Sequence, residues 1–187
     1  MPQPDFSVCV YCGSRPGSDP AYMQAARDFG TGLADAGWRL VFGAGDVGLM
    51  GAVAEAVAEA GGDSLGVIPT HLLDLEAPEG RHGARVITET MHERKKVMIM
   101  NADAVAVLPG GAGSLDEFFE VLTWAQLGLH AKPIVLLNAN GYWDPLVALL
   151  DHVIAQGFAD ASLRDMVHTA RDAASALDTL RALRSAA

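Results

Sequence analysis

A chain of 187 residues, half of them apolar, can close one full hydrophobic core and is short for two, so a single domain spanning residues 1–187 is expected. A formal net charge of −10 excludes a protein that tracks nucleic acid or an anionic membrane by general electrostatics, and any negative ligand would need cations gathered locally. The N-terminus, MPQPDFSVCVYCGS, has no basic leader and no later apolar run reaches spanning length, which gives the expectation of a cytoplasmic protein.

In chain order, FSVCVY at 6–11 reads as a buried strand and CGSRPGSDP as a turn. Asp19 followed by Pro20 starts a helix that runs to about Ala36, with Gly37 closing it. WRLVF at 38–42 is a second strand, then GAGDVGLMG leads into the helix AVAEAVAEA at 52–60. SLGVI at 64–68 stops at Pro69, and residues 70–83 read as a loop with a short helix. ARVIT at 84–88 is a fourth strand, MHERKKVMIMNA at 91–102 a helix, and DAVAVL at 103–108 a fifth strand. PGGAGSLDE at 109–117 then opens a helical pattern from 117 to 128. IVLLN at 134–138, a helix at 144–156, a short edge strand at 166–170 and a closing helix at 172–184 complete the chain. The alternation, with strands apolar on both faces, predicts an α/β fold: a Rossmann-like parallel sheet of six or seven strands with helices on both faces. Such sheets bind ligands beyond the carboxyl ends of their strands at the switch point, which would gather CGSR at 12–15, GAGDVG at 43–48 and PGGAGS at 109–114 on one edge.

Each motif has two readings. PGGAGS is either a phosphate cradle at a helix N-terminus or a tight turn in which Ser114 and Glu117 form a capping box. GAGDVG fits a dinucleotide fingerprint, but it follows the second strand, and Ile68 and Pro69 stand where a ribose-binding acid belongs, so NAD binding is not expected. Cys9 and Cys12 form C-x-x-C without a second pair, and the histidines show no H-x-x-x-H spacing, so buried thiols and no metal are expected. Arg94, Lys95 and Lys96 oppose the macrodipole at the start of their helix, which suggests either a solvated cluster or a nonlocal use such as an anion. The helix after PGGAGS is apolar around most of its surface, with Glu117, Glu120 and Thr123 on one polar stripe, as expected for a core or subunit-interface helix. A carboxylate at 117, beyond a bound phosphate, suits the ribose: it could stabilise positive charge on the ribosyl carbon or activate water.

PGGAGSLDE, with MHERK upstream, GAGDVGLMG, CGSR and EVLTWAQLGLHAKP, resembles the LOG family, the cytokinin riboside 5′-monophosphate phosphoribohydrolases, over about residues 6–160. The resemblance implies a homodimer that hydrolyses the N-glycosidic bond of a nucleoside 5′-monophosphate without a cofactor. It assigns catalysis to Arg94 and Glu117, and phosphate binding to Gly110, Gly111, Ala112, Gly113 and Ser114 with Lys95 and Thr123. It also sets Ser14, Gly43, Gly45 and Met91 at the substrate, and Glu76 by spacing only. Two positions depart from the family pattern: GAG replaces GGG, putting Ala44 where substrate scope would be affected, and Ser114 replaces threonine while keeping a hydroxyl and an N-cap. Relatives of this kind are also labelled lysine decarboxylases, yet neither Lys95, Lys96 nor Lys132 has a cofactor-anchoring context. A binding protein of the same fold, carrying a phosphorylated ligand such as molybdenum cofactor without turnover, is the alternative.

Overall fold

The computed structural model describes residues 4–73 and 83–186. Seven strands form one sheet in the order β4-β3-β2-β1-β5-β6-β7: β1 Ser7–Tyr11, β2 Arg39–Phe42, β3 Ser64–Pro69, β4 Ala84–Thr88, β5 Ala104–Val107, β6 Ile134–Leu137 and β7 Val167–Ala170. Every neighbouring pair is parallel. The helices are α1 Pro20–Asp35, α2 Gly48–Glu59, α3 Met91–Met100, α4 Ala112–Gln126, α5 Asp144–Ala155, α6 Ser162–Asp165 and α7 Ala173–Ala186.

Strand side chains alternate between two apolar layers, as the two-residue period requires. Val8, Val10, Phe42, Ala106 and Leu137 pack under α1, α2 and α7, while Cys9, Tyr11, Val41, Val107 and Leu136 pack under α3, α4 and α5. Full burial of each larger side chain contributes roughly 1.5–3 kcal/mol. Cys9 and Cys12 therefore belong to opposite layers, both buried and free, and burial pushes both thiols far above their ordinary range. They are packing residues, as the sequence suggested.

The chain builds β1 through β4 outward to one side, then returns to lay β5 against the other side of β1. Asp103 fixes that return: its amide donates to the Ser7 carbonyl at 2.7 Å and its carboxylate accepts from the Ser7 amide at 2.8 Å. The register Val8↔Ala104 to Tyr11↔Val107 follows, and the two strand ends open side by side.

Local chemistry accounts for where the helices start. Asp19 caps α1, accepting from the Ala21 amide at 2.9 Å, with Pro20 at the first position. Thr90 and Glu93 form a full capping box on α3, a T-x-x-E signature that the basic run after it obscured. α2 begins at Gly48 and α4 at Ala112, each several residues before the predicted start, because the glycines that signalled a loop form the first helical turn. Of the segment 70–83 expected to hold a short helix, Thr70–Leu72 forms a 3-10 turn and residues 74–82 lie outside the described residues, while α6 was not foreseen. No helix among the described residues is long and apolar enough to cross a membrane.

Candidate active site

The switch point between β1 and β5 carries a cleft of about 570 Å³, within the roughly 300–1,000 Å³ usual for small-ligand pockets. Three loops build its floor. The Gly13 amide donates to the Pro109 carbonyl at 3.0 Å, joining the β1 and β5 loops. The Gly13 carbonyl in turn accepts from the amides of Leu49 at 3.0 Å and Met50 at 3.3 Å, tying in the loop after β2. Gly48 makes that junction possible: it is left-handed at φ +63°, and a Cβ there would run into the Ser14 backbone.

PGGAGS forms the wall from Pro109 to Ser114. Gly111 is the N-cap of α4, so Ala112, Gly113 and Ser114 occupy the first turn, where helix geometry leaves N–H groups without intrahelical acceptors. Ser114 is not the N-cap that the sequence suggested, and the Ser114–Glu117 capping box does not form. Ser114 sits instead in the first turn of the helix, 3% exposed, with its hydroxyl packed on Gly110. A residue missed at the sequence level steadies this loop: the Tyr142 hydroxyl donates to the Gly110 carbonyl at 2.6 Å, and its ring meets Tyr22 edge-on on the same cleft wall. Its segment, NANGYWDP, carried only a turn signal.

Arg94 and Glu117 both line the cleft. Arg94 is 4% exposed, and its Nη2 donates to the Gly43 carbonyl at 2.7 Å, while Nη1 lies 3.9 Å from the Met91 sulfur. A Cβ on Gly43 would collide with the guanidinium, so this glycine is the surface that seats the arginine. Glu117 is half-buried on α4, one turn past the glycines.

The other expected site residues divide. Ser14 and Met91 line the cleft, and Gly45 lies beneath it, its amide 3.1 Å from the Met50 sulfur. Thr123 is exposed farther along α4 and does not line the cleft, and Glu76 lies outside the described residues. Lys95 is buried, but its ammonium is held by Asp116 at 2.9 Å and Glu120 at 2.8 Å and is absent from the cleft wall. Ala44 also faces elsewhere. It is left-handed at φ +60°, and it clusters with Ile68, Leu72 and Leu73, of which Leu72 lines the cleft while Ala44 does not. The left-handed backbone costs roughly 1–2 kcal/mol, and burying one methyl returns only about 0.8 kcal/mol. Ala44 is thus a site of modest strain rather than a wall of the cleft.

Fold and site define the class: a Rossmann-like α/β protein whose glycine loop, buried arginine and carboxylate meet at the switch point. A family model described as a possible lysine decarboxylase matches residues 50–180. A probable cytokinin riboside 5′-monophosphate phosphoribohydrolase of Oryza sativa subsp. japonica is 46% identical over 173 residues, covering 92% of this chain and 76% of that protein. A cytokinin riboside 5′-monophosphate phosphoribohydrolase of Rhodococcoides fascians is 42% identical over 178 residues, covering 94% and 89%. The chain belongs to this phosphoribohydrolase family, the LOG family. The molybdenum cofactor carrier protein of Chlamydomonas reinhardtii aligns with a TM-score of 0.74 at 23% identity, over 96% of this chain and 98% of that one. At that identity the likeness is one of fold alone.

The decarboxylase description finds no anchoring lysine. Lys95 is committed to two carboxylates, the Lys132 ammonium donates to the Ala102 carbonyl, Lys96 is exposed, and none of the three lines the cleft.

Proposed function

We propose that this chain hydrolyses the N-glycosidic bond of a nucleoside 5′-monophosphate, AMP or an N6-substituted cytokinin riboside monophosphate, to free base and ribose 5-phosphate. The observation that carries this reading is that Arg94 and Glu117 line one cleft with the Gly110–Ser114 loop. The 5′-phosphate would rest on the first-turn N–H groups of α4, with Arg94 adding charge. Glu117 then faces the ribose. As the C1′–N bond breaks, its electron pair leaves with the base, and the Glu117 carboxylate stabilises positive charge on the ribosyl carbon or orients water. Water oxygen bonds to C1′, and the proton it releases balances the one the base takes up. Incubation with AMP, GMP, CMP and isopentenyladenosine monophosphate tests the proposal; free base from at least one adenine nucleotide is expected, and release from none would contradict it.

The seating of Arg94 gives a further test. Gly43→Ala places a methyl group in the guanidinium, and displacing a catalytic group by about 1 Å can cost around 10² in rate. Turnover by Gly43→Ala is therefore expected to drop by about that factor. Wild-type turnover would mean that Arg94 does not act from the Gly43 carbonyl.

The working unit, in this proposal, is a homodimer. Phe119, Thr123 and Leu127 recur at the four-residue spacing that shares a helix face, and all three are exposed in the single chain, Leu127 at 67%. A role for Thr123 at the substrate would then need a second chain. Light scattering at micromolar concentration should give twice the chain mass, and an active monomer would refute the interface.

A further inference from the structure

Arg94 and Lys95 are sequence neighbours on α3, and a helix turns about 100° between them. They go to different places. Arg94 reaches the Gly43 carbonyl and the cleft, while Lys95 crosses to α4, where its ammonium meets Asp116 at 2.9 Å and Glu120 at 2.8 Å with the lysine side chain 6% exposed. Asp116 lines the cleft and Lys95 does not. The charged side chains on the described wall are Arg15 and Arg94 against Asp116 and Glu117, so the wall is balanced before Lys95 is counted. Asp116 is the anomaly, a second carboxylate on the wall of a site meant for an anion.

We infer that Lys95 is a charge mask rather than a phosphate ligand: it neutralises Asp116 so that the cleft accepts a phosphorylated guest. Two of its three ammonium donors are taken by carboxylates, which leaves little to offer a ligand on the far side of Asp116. Burial acts to lower the affinity of Lys95 for its proton, but the hydrogen bonds to Glu120 and Asp116 outweigh it and hold the group above its ordinary pKa. The ammonium therefore keeps its charge through the neutral range in which a phosphate would bind. Asp116 is 62% exposed, so water already screens part of its charge and the effect of the mask is moderate. This inference rests on the phosphate site proposed above, but it concerns anion binding and does not require turnover.

The test is calorimetric titration with inorganic phosphate of wild type, Lys95→Met, Asp116→Asn and the double variant, with KM and kcat for AMP in parallel. Lys95→Met should weaken phosphate binding and raise KM by about five- to tenfold, with kcat within about threefold. Asp116→Asn in that background should restore binding to within about threefold of wild type, because the exposed charge is gone. A double variant as weak as Lys95→Met would make Lys95 a direct ligand and overturn the inference. Should Lys95→Met fail to fold, Asp116→Asn alone decides: binding should tighten about two- to fivefold, and unchanged or weaker binding contradicts the mask. Absence of any phosphate binding by wild type contradicts it as well. Phosphate titrations that follow this pattern while AMP stays intact would leave the mask standing and remove the hydrolase.

Discussion

Adenosine is expected to be cleaved at least about 10³-fold less efficiently than AMP, measured as kcat/KM. The phosphate does not react, so its worth lies in remote binding energy used to hold the ribose against Glu117. The donors for it lie on one wall: the first turn of α4 from Ala112 to Ser114 and the Arg94 guanidinium seated on Gly43. In a chain of net charge −10 this wall is locally neutral, its charged side chains being Arg15 and Arg94 against Asp116 and Glu117, and nothing in the bulk field would draw a phosphate there. Without the phosphate those N–H groups would face water, and the nucleoside could slide in the cleft. Comparable rates for AMP and adenosine would make PGGAGS a structural turn only.

Glu117→Gln is expected to lower turnover by about 10² or more while nucleotide binding persists. The change keeps shape and hydrogen-bonding reach and removes the charge, so it separates a carboxylate that acts on the ribosyl carbon from one that only packs. Ground-state affinity should be kept or slightly improved, since a negative side chain near a bound phosphate is unfavourable before the transition state and useful in it. Because Glu117 is half-buried on α4 and is not the capping residue of that helix, the substitution should leave the fold intact. Turnover at the wild-type level would remove Glu117 from the chemistry. Loss of binding and turnover together would instead indicate that the carboxylate holds the substrate.

The centre of the sheet was legible because β1, β2, β3 and β5 are short, largely apolar runs closed by glycine or proline, and the placement of the cleft followed from topology once β5 was set beside β1. Helix starts were less legible. Glycine signals a loop in one dimension, yet at 48 and 110 it permits close approach beside a helix N-terminus, so α2 and α4 begin early and Ser114 moves from cap to first turn. The basic run at 94–96 could not be resolved from sequence, since adjacent helical side chains diverge and only the fold shows that Arg94 enters the cleft while Lys95 pairs with α4. The packing of Ala44 was not legible for the same reason: the direction of a methyl group in a left-handed loop residue is a three-dimensional fact. Tyr142 left no signal, because its role is a single hydroxyl contact across thirty-two positions.

The central claim is that the cleft breaks a glycosidic bond rather than storing a nucleotide. It is tested most directly by mixing purified protein with a several-fold excess of AMP, and separately of isopentenyladenosine monophosphate, in phosphate-free buffer and quantifying base and ribose 5-phosphate together. Equimolar base and ribose 5-phosphate, exceeding the protein several-fold and absent with Glu117→Gln over the same interval, is the expected result. Nucleotide that binds one per chain and is recovered intact would contradict it, and would leave the molecule a carrier.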